Sequence, residues 1–119
     1  MIVRFADQTP ITEEGHPLVM YRLLDRERHT AGLSITWVQL WGEHSRMRTA
    51  ASERCYVIVA GTGRFQVGDE PSAAVGPGDV VLVPRDVGYQ FEGHFTYLVL
   101  NAPAFADGDD AIEPRISPR

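Results

Sequence analysis

The chain has 119 residues, 44% of them hydrophobic and 23% charged, with a formal net charge of −5. That length and balance suit one soluble globular domain with a single core, and leave no room for a second domain of ordinary size. The acidic balance lacks the basic stripe of a nucleic-acid binder, and no run approaches the ~20 apolar residues of a membrane span.

The opening "MIVRFADQTP" has no signal-peptide apolar run, and the single Cys55 excludes an internal disulfide framework. Both point to the reducing cytoplasm of a bacterial cell. All eleven basic residues are arginine. With no lysine, a Schiff-base lysine or a lysine general base is excluded.

In chain order, "MIVRFA" and "LVMYRLLD" read as strands, joined by the Pro- and Gly-marked "QTPITEEGHP". "LSITWVQLW", residues 33–41, is rich in β-branched and aromatic residues and reads as the next strand. "CYVIVAGTGRFQVG" reads as a hairpin turning at Gly61 and Gly63. "AAVGPGDVVLVPRDVGYQF" predicts a turn at Gly76-Pro77-Gly78, a strand from Val80 to Val83 and a break at Pro84. "FTYLVLNAPAF" is the last strong strand, and the tail "ADGDDAIEPRISPR" is expected to be ordered only where it docks on a neighbour. No segment sustains a helical period without Gly or Pro, so the class expected is an all-β barrel or sandwich of eight to ten strands.

Two blocks resemble the motifs of the cupin family, small β-barrels of jelly-roll type. The family's first motif runs G, five residues, H-x-H, three or four residues, E, six residues, G. Gly42 begins it and Gly61 ends it with the internal spacing kept. The second motif, G-x5-P-x-G-x2-H-x3-N, is matched at Gly78, Asp79 and Pro84 and in the texture of "GDVVLVP". The resemblance implies one cupin domain over residues 1–119: a strand arm at 1–30, a jelly-roll barrel at about 31–105 and a polar tail at 106–119.

The departures are chemical. The two metal-binding histidines of the family fall on Arg48 and Ala50, the glutamate on Arg54 and the last histidine on Tyr89. The motif glycine falls on Asp86 and the final asparagine on Gly93. A guanidinium stays protonated and repels a dication, so no metal or other cofactor is expected. His44, Glu53 and Tyr89 are the residues from which a metal site could be rebuilt.

Strand alternation would turn Arg48, Ala50, Arg54, Tyr56, Ile58, Tyr89 and Phe91 toward one cavity. Glu43, Glu53, Asp86 and Glu92 are the nearby acids that could neutralise the arginines. Arg48, Arg54 and Tyr89 are then the candidate catalytic residues, and Trp37, Gln39, Tyr56 and Phe91 the candidate ligand-binding ones. A one-residue slip decides which face of residues 33–41 points inward. His44 reads as a solvated loop residue or a base at the cavity mouth, and Cys55 as a small core residue.

The expected function is metal-independent binding of a small polar or anionic organic molecule, with proton-transfer chemistry such as isomerisation, cyclisation or elimination. Arg48 and Arg54 would hold an oxyanion and a tyrosine would relay the proton. Two alternatives stand beside it: a non-catalytic binding module with a filled interior, and a metal-dependent oxygenase or isomerase with a rebuilt site. A homodimer is expected from the strand edges that such barrels leave, with "MIVRFA" adding to a partner's sheet.

Overall fold

Alternating apolar residues over long stretches leave the backbone no local hydrogen-bond partners, so strands of this chain must pair with one another. The computed structural model describes residues 1–113. Its strands are β1 (Ile11–Thr12), β2 (Leu18–Leu24), β3 (Ser34–Thr49), β4 (Glu53–Val67), β5 (Ala73–Val75), β6 (Val80–Val83), β7 (Tyr89–Ala102) and β8 (Asp110–Ile112). They form one antiparallel sheet in the order β1-β2-β3-β7-β4-β5, with β6 added to β4 and β8 added to β3. Among the described residues the one helical element is a 3-10 turn at Phe5–Asp7, and no helix is long and apolar enough to cross a membrane.

β3, β7 and β4 run side by side for most of their length and supply the core. Their inward side chains include Val38, Leu40, Tyr56, Ile58, Phe65, Phe91, Phe95 and Tyr97, each 4% exposed or less. Aromatic rings dominate this interior. Phe91 stacks on Phe65 at 4.4 Å and meets Tyr97 edge-on at 5.5 Å, the offset and T-shaped geometries that ring quadrupoles favour.

A row without side chains crosses the three long strands. Gly42 pairs with Gly93, and Gly93 pairs with Gly63. A Cβ on Gly93 would lie 2.5 Å from both the Gly63 Cα and the Thr62 carbonyl oxygen, and its φ of +151° is one that side chains rarely adopt. Glycines of this kind let a sheet coil tightly, which is how one sheet comes to form opposite walls.

Several expectations are corrected. "MIVRFA" forms no strand: Gln8 N–H bonds Phe5 C=O at 3.0 Å in the 3-10 turn, and the Phe5 ring packs 4.6 Å from Tyr21. Gly61 and Gly63 make no hairpin turn, because β4 continues through them to Val67 with a bulge between Ile58 and Ala60. β3 likewise continues past residue 41 to Thr49. The turn at 76–78, the strand at 80–83 and the break at Pro84 are found where expected. Asp86, at the motif-glycine position, takes φ 60°, so an aspartate keeps the left-handed turn that glycine would make. The tail docks as β8 on β3, while residues 114–119 lie outside the described residues.

The glycine row gives a stability test. Gly93→Ala should destabilise the protein by about 2–3 kcal/mol, since backbone atoms on the neighbouring strand cannot move aside. Gly76→Ala, where nothing lies within 4 Å of the new methyl group, is the control and should change stability by less than about 0.5 kcal/mol. Urea unfolding curves of the two variants measure the difference.

Candidate active site

The curled sheet encloses a cavity of about 590 Å³. That is the size range of small-molecule sites. Its wall includes His44, Arg54, Tyr56, Tyr97, Asn101 and Asp110, and exposed Arg26, Arg28 and Asp107 stand at its rim.

Arg54 is the buried charge of the site. Its residue is 4% exposed, on the inward face of β4 in register with Asn101 of β7. Nε donates to Asn101 Oδ1 at 2.5 Å, Nη1 donates to the Tyr89 hydroxyl at 2.6 Å, and Nη2 donates to Asp110 Oδ1 at 2.8 Å. Burial would push the guanidinium down in pKa, but Tyr56, Tyr89 and Asp110 around it reverse the shift and hold it charged. The Tyr89 and Tyr56 hydroxyls are 2.8 Å apart. A hydrogen-bonded chain therefore runs from Asp110 through Arg54 and Tyr89 to Tyr56 at the cavity wall. Burial raises the pKa of both phenols, so each remains a proton carrier at neutral pH.

His44 stands on β3 opposite Phe91, and its ring stacks on Phe91 at 4.4 Å and 14°. Nδ1 lies 2.8 Å from the Ser45 carbonyl oxygen. A carbonyl only accepts, so Nδ1 carries the proton and the lone pair of the neutral ring is on Nε2. Burial, with help from the charges of His16 and Arg54, lowers its pKa to about 4. The ring centroid of His16, on the loop between β1 and β2, is 6.4 Å away.

The residues singled out from the sequence separate into two groups. Arg54 and Tyr56 line the cavity, and Tyr89 lies directly behind them. Phe91 is fully packed between His44 and Phe65 and forms a support for the wall, outside the lining. Trp37 and Gln39 are on the outer face of β3, whose inward positions are Ser34, Thr36, Val38 and Leu40. Trp37 packs there against Phe5 at 5.3 Å.

Arg48 is outside the cavity as well, its side chain 46% exposed and bonded to Glu113 Oε1 at 2.5 Å and to the Asp86 carbonyl at 2.7 Å. The reason is a bulge in β3 between His44 and Met47, which reverses the alternation beyond it. Met47 takes the inward place, and Arg46, on the same face as Arg48, is buried outside the cavity beside Glu113, donating to Gln66 Oε1 at 2.6 Å. Ala50 is exposed. The acids that pair with the arginines are Asp110 and Glu113 of the docked tail, in place of Glu43, Glu53 and Glu92, while Asp86 adds its charge near Arg48.

Sequence reasoning undervalued His44, Asn101 and Asp110. His44 is placed by strand pairing with Phe91, and Asp110 by the docking of β8, neither of which leaves a local signal. Asn101 could have been found from its register with Arg54, had the strand pairing been known.

The metal that the cupin resemblance associates with this position does not fit the residues present. Arg54 fills the place of one ligand with a fixed positive charge, and Arg48 and Ala50 point away. Among the described residues, no group of three or more His, Cys, Asp or Glu side chains is arranged to hold a metal ion.

No family model matches the sequence, and no curated protein is matched. Solved structures are. Pac13 from Streptomyces, described as a unique nucleoside dehydratase with a β-barrel, is 19% identical with a TM-score of 0.83, over 98% of this chain and 93% of Pac13. Two tyrosine-to-phenylalanine variants and a histidine-to-glutamine variant of Pac13 are known with uridine. The polyketide cyclase RemF from Streptomyces resistomycificus is 17% identical with a TM-score of 0.71, over 92% of this chain and 88% of RemF. KdgF from a Halomonas species is 12% identical with a TM-score of 0.75, over 88% of this chain and 96% of KdgF. The chain has the fold of the cupin β-barrels.

Proposed function

We propose that this protein catalyses metal-independent elimination, the loss of water from a small hydroxylated carbonyl compound. One observation carries the reading: a neutral imidazole and a polarised phenol face the same cavity. Elimination beside a carbonyl needs a base for the acidified C–H and a donor for the oxygen that gains negative charge. His44 Nε2 takes the C–H proton, and the imidazolium so formed returns it to the departing hydroxyl, which leaves as water as the enolate collapses to the alkene. Arg54 donates to the Tyr89 oxygen, and the Tyr89 and Tyr56 hydroxyls share a hydrogen bond that either can donate; with Tyr89 donating, the Tyr56 O–H is turned to the developing enolate oxygen. The chain of bonds places a fixed positive charge behind that donor without bringing the charge into contact with the substrate.

The likeness to a nucleoside dehydratase supports the reaction class and suggests a nucleoside-sized molecule as substrate. A polyketide cyclase on the same fold supports acid–base work in this type of cavity. The interior is open, which favours a ligand over a packed accessory module.

The test is an assay of β-hydroxy carbonyl compounds, nucleoside-derived ones included, followed by mass spectrometry for the loss of one water. His44→Gln should lower kcat by about 10³-fold and Tyr56→Phe by about 10²-fold, with small changes in KM. Full turnover in His44→Gln would remove the reading. Arg54→Gln should lower kcat as well, and it should also unfold more easily because Asp110 loses its partner.

The imidazole also predicts a pH dependence of stability. Its pKa is about 4 in the folded protein against 6.5 for the free side chain, so the unfolded chain takes up the proton first as pH falls. The contribution is fully present above pH 6.5 and is lost on the way down to pH 4, by roughly 3 kcal/mol. Denaturant midpoints across that window should fall in the wild type, and His44→Gln should flatten the slope.

A further inference from the structure

The elimination chemistry uses His44 and the Arg54 chain, and leaves part of one buried row of the cavity wall without a task. Ser34 of β3, Asn101 of β7 and Arg54 of β4 are paired across the sheet in that order. Each is 4% exposed, and each lines the cavity. Arg54 Nε donates to Asn101 Oδ1 at 2.5 Å, which fixes the amide and turns its NH2 group toward Ser34. Asn101 Nδ2 donates to Ser34 Oγ at 3.4 Å, and the Phe105 backbone N–H donates to the same oxygen at 2.9 Å.

The hydrogens left over at Ser34 and Asn101 are donors. A hydroxyl has two lone pairs and one proton. Both lone pairs of Ser34 Oγ are taken by N–H groups, and its proton meets no acceptor among the described residues. One Asn101 Nδ2 hydrogen goes to Ser34, and the other likewise meets no acceptor among them. Donors this deeply placed are ordinarily matched. Ser34 Oγ and Asn101 Nδ2 are 3.4 Å apart, so one oxygen atom can lie within hydrogen-bonding distance of both.

Charge decides which kind of oxygen. Arg54 Nη2 already meets Asp110 Oδ1 at 2.8 Å, so the row has no net positive charge for an anion to neutralise. Among the described residues, the charged groups lining the cavity are four arginines and six carboxylates. A carboxylate or phosphate on the ligand would lose its water beside Asp110 and be repelled there. An uncharged carbonyl oxygen has two lone pairs for the two donors, and loses far less on leaving water. We infer that Ser34 and Asn101 form a subsite for a second, uncharged carbonyl oxygen of the ligand, from a ketone, ester or lactam. This rests on the cavity being the substrate site, and it adds the class of substrate: a neutral compound with two carbonyl groups, one activated at Tyr56 and one held at Ser34 and Asn101. The subsite turns away an anionic group at that end of the ligand.

Binding without turnover tests the subsite separately from the elimination. Acetophenone and benzoate, which present a ketone and a carboxylate on the same ring, serve as probes. Asn101 is the only asparagine in the sequence, so selective isotope labelling of asparagine gives a single side-chain NH2 pair in NMR spectra. Acetophenone should shift that pair downfield as it saturates wild-type protein, and should bind at least about tenfold more tightly than benzoate. Asn101→Asp keeps an oxygen for Arg54 Nε and removes the NH2 donor, and Ser34→Ala removes the hydroxyl. Each should weaken acetophenone binding at least about tenfold. The two wild-type measurements decide the matter even where a variant fails to fold. Benzoate bound as tightly as acetophenone, or no saturable acetophenone binding by ~10 mM, overturns the subsite whatever the elimination assay shows. An Asn101 amide signal that stays in place at saturation overturns it too, since residues that only hold Phe105 and Arg54 would behave in that way.

Discussion

Everything in this barrel depends on three long strands lying together along a stripe with no side chains. Gly42, Gly93 and Gly63 occupy one row, and backbone atoms of the neighbouring strand leave no room for a Cβ on Gly63 or Gly93. A sheet this twisted would otherwise splay. Because it closes instead, inward residues of β3, β4 and β7 face a shared interior, where rings fill one end and a cavity occupies the other. The site is thus a property of the sheet's curvature before it is a property of any catalytic residue.

The second constraint is a charge. A buried guanidinium is costly unless its donors are met and its charge is balanced. Arg54 meets both conditions by recruiting Asn101 from β7, Tyr89 from the same strand and Asp110 from β8. The short strand at the end of the described chain is therefore held by ion pairs, Asp110 on Arg54 and Glu113 on Arg48, as much as by its backbone ladder. In return it closes part of the cavity wall. The same arrangement makes the Tyr89 oxygen an acceptor, since the guanidinium can only donate. Packing, charge balance and the anchoring of the tyrosine pair are solved by one residue.

Much of the frame was legible. The spacing from Gly42 to Gly61 and the "GDVVLVP" block identified the barrel, and alternation around Arg54 and Tyr56 pointed those side chains inward. Legibility failed wherever alternation was interrupted or where a contact joined distant segments. Arg48 was read as inward because counting by twos assumes an unbroken pleat, and the bulge after His44 breaks it. Trp37 and Gln39 were ligand-binding candidates only if their face of residues 33–41 pointed inward, and the register of β3 with β2 and β7 puts them outside. His44 looked like a loop residue because the strand was expected to stop at residue 41, and the tail's carboxylates were invisible because pairing over more than fifty residues leaves no local pattern.

The bulge has a consequence for how such a cavity could change over generations. Which of Arg46, Met47 and Arg48 point inside is set by one extra residue in the strand. Losing that residue would exchange the two sets of side chains without altering a single amino-acid type. A thioether wall would become a cationic one, and the surface arginine that now meets Glu113 would enter the barrel. In this fold the length of a strand is as variable a determinant of chemistry as the letters written along it.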